Sequence, residues 1–216
     1  MKIKYLGHSC FKITAKSGAS IITDPYTNVG YELPAGLTAT AVTASHAHFD
    51  HNYLSAVDTK NVIASVGEYS VEDVKITGVH SWHDEKNGAL RGNNVIFKFE
   101  VDGMQVCHLG DLGEDISADL IQRIGTVDVL LIPVGGTYTI DATQAKDLIL
   151  QIAPKLVIPM HFKPSDGKLD ISPLSAFTKL FPVSVISQNG KDEVELTKDS
   201  LSKFLSITCL EREKNE

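Results

Sequence analysis

The chain has 216 residues, 43% of them hydrophobic and 22% charged, which is ordinary for a globular protein with a sizeable core. Its formal charge of −7 argues against non-specific binding to nucleic acid or to an anionic membrane surface. No run approaches the roughly 20 apolar residues that span a bilayer, and Met1 to His8 lacks the apolar centre of a secretory signal. Three widely spaced cysteines, Cys10, Cys107 and Cys209, do not make a disulfide framework, so a reducing cytoplasm is expected.

The first quarter alternates as strands do. Residues 2–6, 9–14 and 19–23 are predicted strands, the last two separated by the turn signal Ala15-Lys16-Ser17-Gly18. Asp24-Pro25 closes the third, because the residue before proline is pushed out of helical geometry and proline lacks a ladder donor. Residues 26–40, with Gly30, Pro34 and Gly36, read as a loop long enough to be functional. A β-leaning run over 40–45 leads to a histidine-rich segment, then a short helix over 53–57 and strands over 61–66 and 74–79.

Asp102-Gly103, set between apolar runs at 94–101 and 104–109, is the strongest hairpin signal. Beyond it helices and strands alternate. Helices are predicted over 118–124, 142–152 and 173–180, and strands over 127–132, 156–159 and 183–187. Asp141 is the expected cap of the second helix, whose apolar stripe is Ala145, Leu148, Ile149 and Ile152. No linker or repeat divides the chain, so one domain over 1–216 is expected, with the charged tail 210–216 frayed.

The chemistry gathers in His46-Ala47-His48-Phe49-Asp50-His51. Such a pattern arises by chance in roughly one chain in a thousand, and its residue types are those of a metal site rather than of a packed surface. Extended backbone turns His46 and His48 to one side across Ala47. Asp50 and His51 are adjacent and, on a turn, face neighbouring metals. A catalytic metal needs about three protein ligands and an open position, so others must come from elsewhere. The candidates are a histidine in the segment His80-Ser81-Trp82-His83-Asp84-Glu85, Asp111 in His108-Leu109-Gly110-Asp111, and His161 in Pro159-Met160-His161. Each stands where a strand gives way to a loop.

This order of motifs resembles the metallo-β-lactamase-fold hydrolases over residues 1–190, and Asp24 in Ile21-Ile22-Thr23-Asp24-Pro25 matches their first acidic motif. More narrowly, Leu6-Gly7-His8-Ser9, the stretch from His83 through Arg91-Gly92-Asn93, Pro133-Val134-Gly135-Gly136 and Pro159-Met160-His161 look like the branch related to L-ascorbate-6-phosphate lactonases. The resemblance implies an α/β fold, a four-layer αββα sandwich, with a dinuclear centre at one edge. Carried onto this chain, His46, His48 and His83 hold one metal, Asp50, His51 and His161 the other, and Asp111 bridges them. His83 is preferred to His80 because it directly precedes Asp84-Glu85 and the 88–92 loop. Asp24 is expected to hold backbone groups or to orient a ligand histidine from behind. A glutamate is absent at position 48, which separates the chain from the di-iron oxygen-reducing relatives.

Two divalent ions sharing a water acidify it towards neutrality, and Zn, Mn and Fe all suit these ligands. The expected activity is metal-dependent hydrolysis of a small ester, lactone or phosphodiester, with Asp50 also orienting the nucleophile. His8, Arg91, Thr137, Tyr138 and Lys163, polar residues in the motif-bearing loops, are the expected substrate contacts. The rivals are a phosphodiesterase or nuclease and a non-catalytic metal-binding module. The acidic charge disfavours long nucleic acids, and the full ligand set disfavours the module. A small-molecule substrate is the expected partner, and homo-oligomerisation is left open.

Overall fold

The computed structural model describes residues 1–188 and 190–213. The early alternation becomes β1 (Lys2–Gly7), β2 (Cys10–Thr14), β3 (Ser20–Thr23), β4 (Leu37–Thr38) and β5 (Ala41–Thr43). Next come β6 (Val57–Asp58), β7 (Val62–Ile63), β8 (Gly67–Val71) and β9 (Val74–Trp82). The hairpin β10 (Asn93–Val101) and β11 (Met104–His108) turns at Asp102 and Gly103, both at positive φ as a two-residue turn of this kind demands. Helices then alternate with strands: α1 (Ala118–Ile124), β12 (Val129–Pro133), α2 (Ala142–Ile152), β13 (Leu156–Met160) and α3 (Leu174–Thr178). Strands β14 (Ile186–Gln188), β15 (Glu193–Glu195) and β16 (Ser206–Cys209) follow.

Two sheets face each other. One has the order β15-β1-β2-β3-β5-β7 and the other β14-β16-β13-β12-β11-β10-β9-β8, with β4 and β6 a separate parallel pair. In the first sheet the register aligns Ile3 with Ile13, Ile13 with Ile21 and Ile21 with Ala41, a row buried in the main core. The alternate residues Leu6, Cys10, Ile22 and Val42 point the other way, into a small second core with Tyr26, Val29 and Val57. The loop 26–40 and the 3₁₀ turn Leu54–Ala56 pack over that second core, and the Tyr26 hydroxyl donates to the Leu6 carbonyl at 2.8 Å. The outer layer on this side is therefore mainly loop, because Gly30, Pro34 and Gly36 break any helical period.

The second sheet carries the three helices. Its central parallel strands β12 and β13 are buried at every residue, the continuous apolar reading of strands covered on both faces. Asp141 caps α2 by accepting from the Thr143 and Gln144 amides, and Gln144 reaches back to the Asp141 amide. Ala145, Leu148 and Ile149 turn inward as the stripe predicts.

Several expectations change. The strand over 61–66 shrinks to Val62–Ile63, β9 runs three residues further to Trp82, and the strand over 183–187 begins as a 3₁₀ turn, Val183–Val185. Residues 210–213 are held rather than frayed. Leu210 is buried, the Glu211 amide donates to the Lys191 carbonyl at 2.9 Å, and the Arg212 guanidinium lies 4.0 Å from the Tyr31 ring centroid. Residues 214–216 lie outside the described residues. All three cysteines are free and buried. No helix among the described residues is long and apolar enough to cross a membrane.

Six strands finish at one edge of the sandwich. β1 delivers His8, β3 Asp24, β5 the 46–51 segment, β9 His83, β11 Asp111 and β13 His161. Carboxyl ends of strands are where open sheets build sites, since loops there are free to converge.

Candidate metal centre

The chain turns sharply as it leaves these strands. His8, Asp24 and His161 sit at φ of 52°, 41° and 50°, left-handed conformations that are costly for non-glycine residues and that gather at functional sites. Three sets of ligand atoms result, each with its members within 4.8 Å of one another: His46, His48 and His83; His8, Asp50, His51 and His161; and His46, His51 and Asp111. Asp111 stands between the first two. Its Oδ2 lies 3.8 Å from His46 Nε2, 3.4 Å from His83 Nε2 and 3.3 Å from His161 Nε2, and its Oδ1 lies 3.1 Å from His51 Nε2.

Proximity here is not hydrogen bonding. His46 Nε2, His51 Nε2, Asp111 Oδ1, His83 Nδ1 and both ring nitrogens of His161 are buried with no hydrogen-bond partner among the described residues. An unsatisfied buried polar atom costs about 1–3 kcal/mol, so a cluster of converging imidazoles and a carboxylate in this state calls for a ligand, to which each ring would offer one nitrogen. Imidazole nitrogens and carboxylate oxygens are donors that Zn, Mn and Fe accept. The residues present fit divalent cations.

Electrostatics agrees. Burial pushes His46 down to about 3 and His8 down to about 4, and it lowers His83 as well, so these rings are neutral at pH 7. Burial works against the Asp111 and Asp50 carboxylates. Nearby His161 and His51 nevertheless hold Asp111 well below the usual range, and His8 and His51 depress Asp50. His51 moves the opposite way: burial opposes its charge, but Asp111 and Asp24 outweigh that and raise it. The space between His51 and Asp111 therefore attracts positive charge.

A surrounding layer holds these groups in place. Asp24, fully buried, accepts His51 Nδ1–H at 2.7 Å, the Ser45 amide at 2.8 Å and the Ser45 hydroxyl, which aims His51 Nε2 at Asp111, where a metal ion would take the place of the proton that the two carboxylates favour. Asn94 supports the other side. Its amide nitrogen donates to Ser81 Oγ at 2.7 Å and to the Leu109 carbonyl at 2.9 Å, while its oxygen accepts the Asp111 amide at 2.9 Å. A Cβ at Gly110 would lie 2.3 Å from that same oxygen, so only glycine fits. His108 is satisfied, donating from Nε2 to the Ser9 carbonyl and accepting the Gly110 amide at Nδ1. Asp84 accepts the amides of Lys86, Gly88, Leu90 and Arg91 and so shapes the whole 84–92 loop. Sequence reasoning found Asp24 and missed Asn94. The only signal for Asp84 was an aspartate ahead of a glycine-containing loop.

Strand alternation settles the position of the two competing histidines. His80 shares a face of β9 with Trp82, whose ring it meets edge-on at 4.3 Å, and pairs with Asn93 outside the cluster. His83 turns into it.

An open cavity of about 530 Å³ lies over the cluster, floored by His48, Asp50, His83 and Asp111 and walled by Phe49, Arg91, Tyr138 and Leu169. Of the five expected substrate contacts, Arg91 and Tyr138 line it. Thr137 contributes its carbonyl, which accepts from Arg91 Nη2 at 3.1 Å. His8 does not reach the cavity; it is buried behind Asp50, with Nε2 at 3.3 Å from Oδ2. Lys163 faces a separate cavity of about 350 Å³ beside Tyr31, Phe162 and Arg212.

The sequence model of the β-lactamase superfamily domain matches residues 2–161. A UPF0173 metal-dependent hydrolase from Methanoculleus marisnigri is 31% identical over 186 residues, covering 75% of this chain and 81% of its own length. Another, from Carboxydothermus hydrogenoformans, is 28% identical over 192 residues, covering 75% and 84%. The chain belongs to the UPF0173 family of the metallo-β-lactamase superfamily. A crystal structure from Thermotoga maritima, assigned to the Zn-dependent hydrolases of that superfamily, is similar to this UPF0173 protein over 98% of this chain and 99% of that one, at 37% identity and a TM-score of 0.80. The span matched to the superfamily domain ends at His161, so it contains every residue of the cluster.

Proposed function

We propose that this UPF0173 protein is a dinuclear metal-dependent hydrolase that opens a small ester or lactone, on the lactonase-related side of its superfamily, with zinc as the first choice of metal and manganese or iron as substitutes. The observation that carries this reading is Asp111, set between two histidine groups that each offer a ligand set of their own. In it, His46, His48 and His83 would hold one ion and Asp50, His51 and His161 the other, with Asp111 a ligand available from between the two groups. Bound there, two divalent ions supply an acidified water and offset the negative charge that develops on the carbonyl oxygen.

The chain's own residues do the rest. Asp50 faces the cavity, and His8 occupies one side of its Oδ2, so the carboxylate presents a fixed acceptor to the attacking water. The water oxygen adds to the carbonyl carbon, the bond to the leaving alkoxide breaks, and that alkoxide takes up the proton. Asp24 and Asn94 hold His51 and Asp111 in their final positions, which keeps reorganisation during the reaction small. The reading is of one catalytic domain. A small molecule, rather than a nucleic acid, is the substrate, and the cytoplasm is the compartment.

The test is a panel of lactones, esters and phosphodiesters, run after reconstitution with Zn and with Mn separately, alongside elemental analysis. Two ions per chain and turnover of an ester or lactone are expected. Faster turnover of a phosphodiester would replace the substrate class. Full folding with trace metal, or unchanged hydrolysis after His48→Ala and Asp111→Asn, would overturn the reading.

A further inference from the structure

The chain contains three arginines. Arg123 pairs with Glu114 and Asp119, and Arg212 pairs with Asp166. Arg91 differs. Among the described residues its guanidinium meets neutral groups, the Thr137 carbonyl at 3.1 Å and the Tyr138 ring at 5.7 Å from the centroid. An arginine left without a carboxylate in so acidic a chain, on the wall of the proposed catalytic cavity, has its charge free for a ligand.

The residue is also held ready. Asp84, 1% exposed and next in sequence to His83, accepts the Arg91 amide at 2.6 Å together with the amides of Lys86, Gly88 and Leu90. Gly88 packs so closely on Trp82 that an added Cβ would lie 2.6 Å from the ring. The backbone of Arg91 is thereby tied to the strand end that supplies His83, and the Thr137 carbonyl restrains its side chain. Little ordering remains to be done when a ligand arrives. The remaining guanidinium donors match the two oxygens of a carboxylate or a phosphate, a geometry lysine does not offer. Phe49, Tyr138 and Leu169 supply apolar surface on the same cavity wall, with Phe49 52% and Tyr138 38% exposed.

We propose that Arg91 is the specificity-determining residue of this site, selecting esters or lactones that carry an anionic head group, carboxylate or phosphate class, on a short apolar body. The assignment rests on the hydrolase reading above. It names what that reading leaves unassigned, the feature by which the cavity chooses among small esters.

The test compares phenyl butyrate with monophenyl succinate, which replaces the terminal methyl by a carboxylate, and with phenyl 3-phosphonopropanoate, on the zinc-loaded enzyme. Wild type is expected to prefer one or both anionic esters. Arg91→Gln keeps a donor for the Thr137 carbonyl but loses the charge, and should lower that preference about tenfold or more, through KM rather than kcat. Arg91→Lys should restore part of it. Which anionic ester is preferred identifies the head group. Calorimetric titration of succinate and butyrate into the same proteins gives a readout independent of turnover, and Arg91→Gln should erase the tighter binding of succinate. Hydrolysis of all three esters with the same preference in wild type and Arg91→Gln would overturn the role of Arg91 and leave the hydrolase reading standing. No hydrolysis, with succinate still favoured by wild type and not by Arg91→Gln, would overturn ester hydrolysis and leave anion recognition standing. No hydrolysis and equal binding of succinate and butyrate would remove both.

Discussion

The two ends of the sandwich treat buried charge in opposite ways. At the end where β1, β11 and β12 begin, the buried amino terminus and the part-buried carboxylates beside it have partners. The buried α-amino group of Met1 lies 2.8 Å from Asp102 and donates to the Leu196 carbonyl, and Asp102 also accepts the Lys16 amide. Asp128 accepts the Gln105 amide and the Lys155 ammonium, both at 2.9 Å. At the end where β1, β9, β11 and β13 finish, six of the eight buried polar atoms that lack partners among the described residues belong to the histidine and aspartate cluster. One end uses polar groups to close the fold. The other withholds their partners and gives up stability so that something else can bind.

Removing metal should break this contrast most severely. If ions complete the near end, chelation should lower Tm by about 10 °C, since ligand at a thousand times Kd adds about 4 kcal/mol and each kcal/mol moves a domain of this size by about 2–4 °C. Calorimetry with chelator and with restored zinc reads this, and identical transitions would make the near end as self-sufficient as the far one. Asn94→Ala comes next. It strips the acceptor from the buried Asp111 amide and two donors besides, and should cost about 2–3 kcal/mol in urea melts. A loss under about 0.5 kcal/mol would show that Asp111 is held by other means.

Asp24→Asn should weaken metal binding about tenfold or more by loosening His51, read by competition with a chromogenic chelator. Unchanged affinity would leave Asp24 as a backbone brace only. The smallest effect belongs to the far end. The Gln105 amide and Lys155 hold the Asp128 carboxyl below its ordinary value against the opposing effect of burial. A depressed folded value means that its contribution is present above the unfolded pKa of about 3.9 and fades as pH falls through the folded one. Asp128→Asn should therefore be less stable at pH 7 by under about 1 kcal/mol, because the pair is partly exposed and screened, with the gap closing below about pH 4. A gap that persisted at pH 3 would assign it to packing.

How much was legible in the sequence depends on how far apart the cooperating residues lie. His46, His48, Asp50 and His51 announce themselves because six adjacent residues keep their ligands together whatever surrounds them. The hairpin at Asp102-Gly103 and the Asp141 cap are local in the same sense. Asn94 gives no such sign. Its role exists only once β9, β10 and the turn after β11 lie side by side and bring Ser81, Leu109 and Asp111 to it. Lys163 shows the converse, a polar residue two positions from a cluster histidine whose chain turns towards a different cavity. The tail failed for a related reason: its charges suggested fraying, yet Tyr31 and Asp166, remote in sequence, give Arg212 a seat.

By itself the sequence determined the class of chemistry, since chain connectivity holds the 46–51 ligands together, and it determined the alternation that makes the two sheets two-faced. The tertiary structure alone decided that His83 and not His80 joins the cluster, that Asp111 stands between two groups of histidines, and that Arg91 faces the cavity without a carboxylate partner among the described residues. Those are facts of strand register and of which strands end at the same edge, and they arise from packing between segments tens of residues apart, where local patterns carry no information.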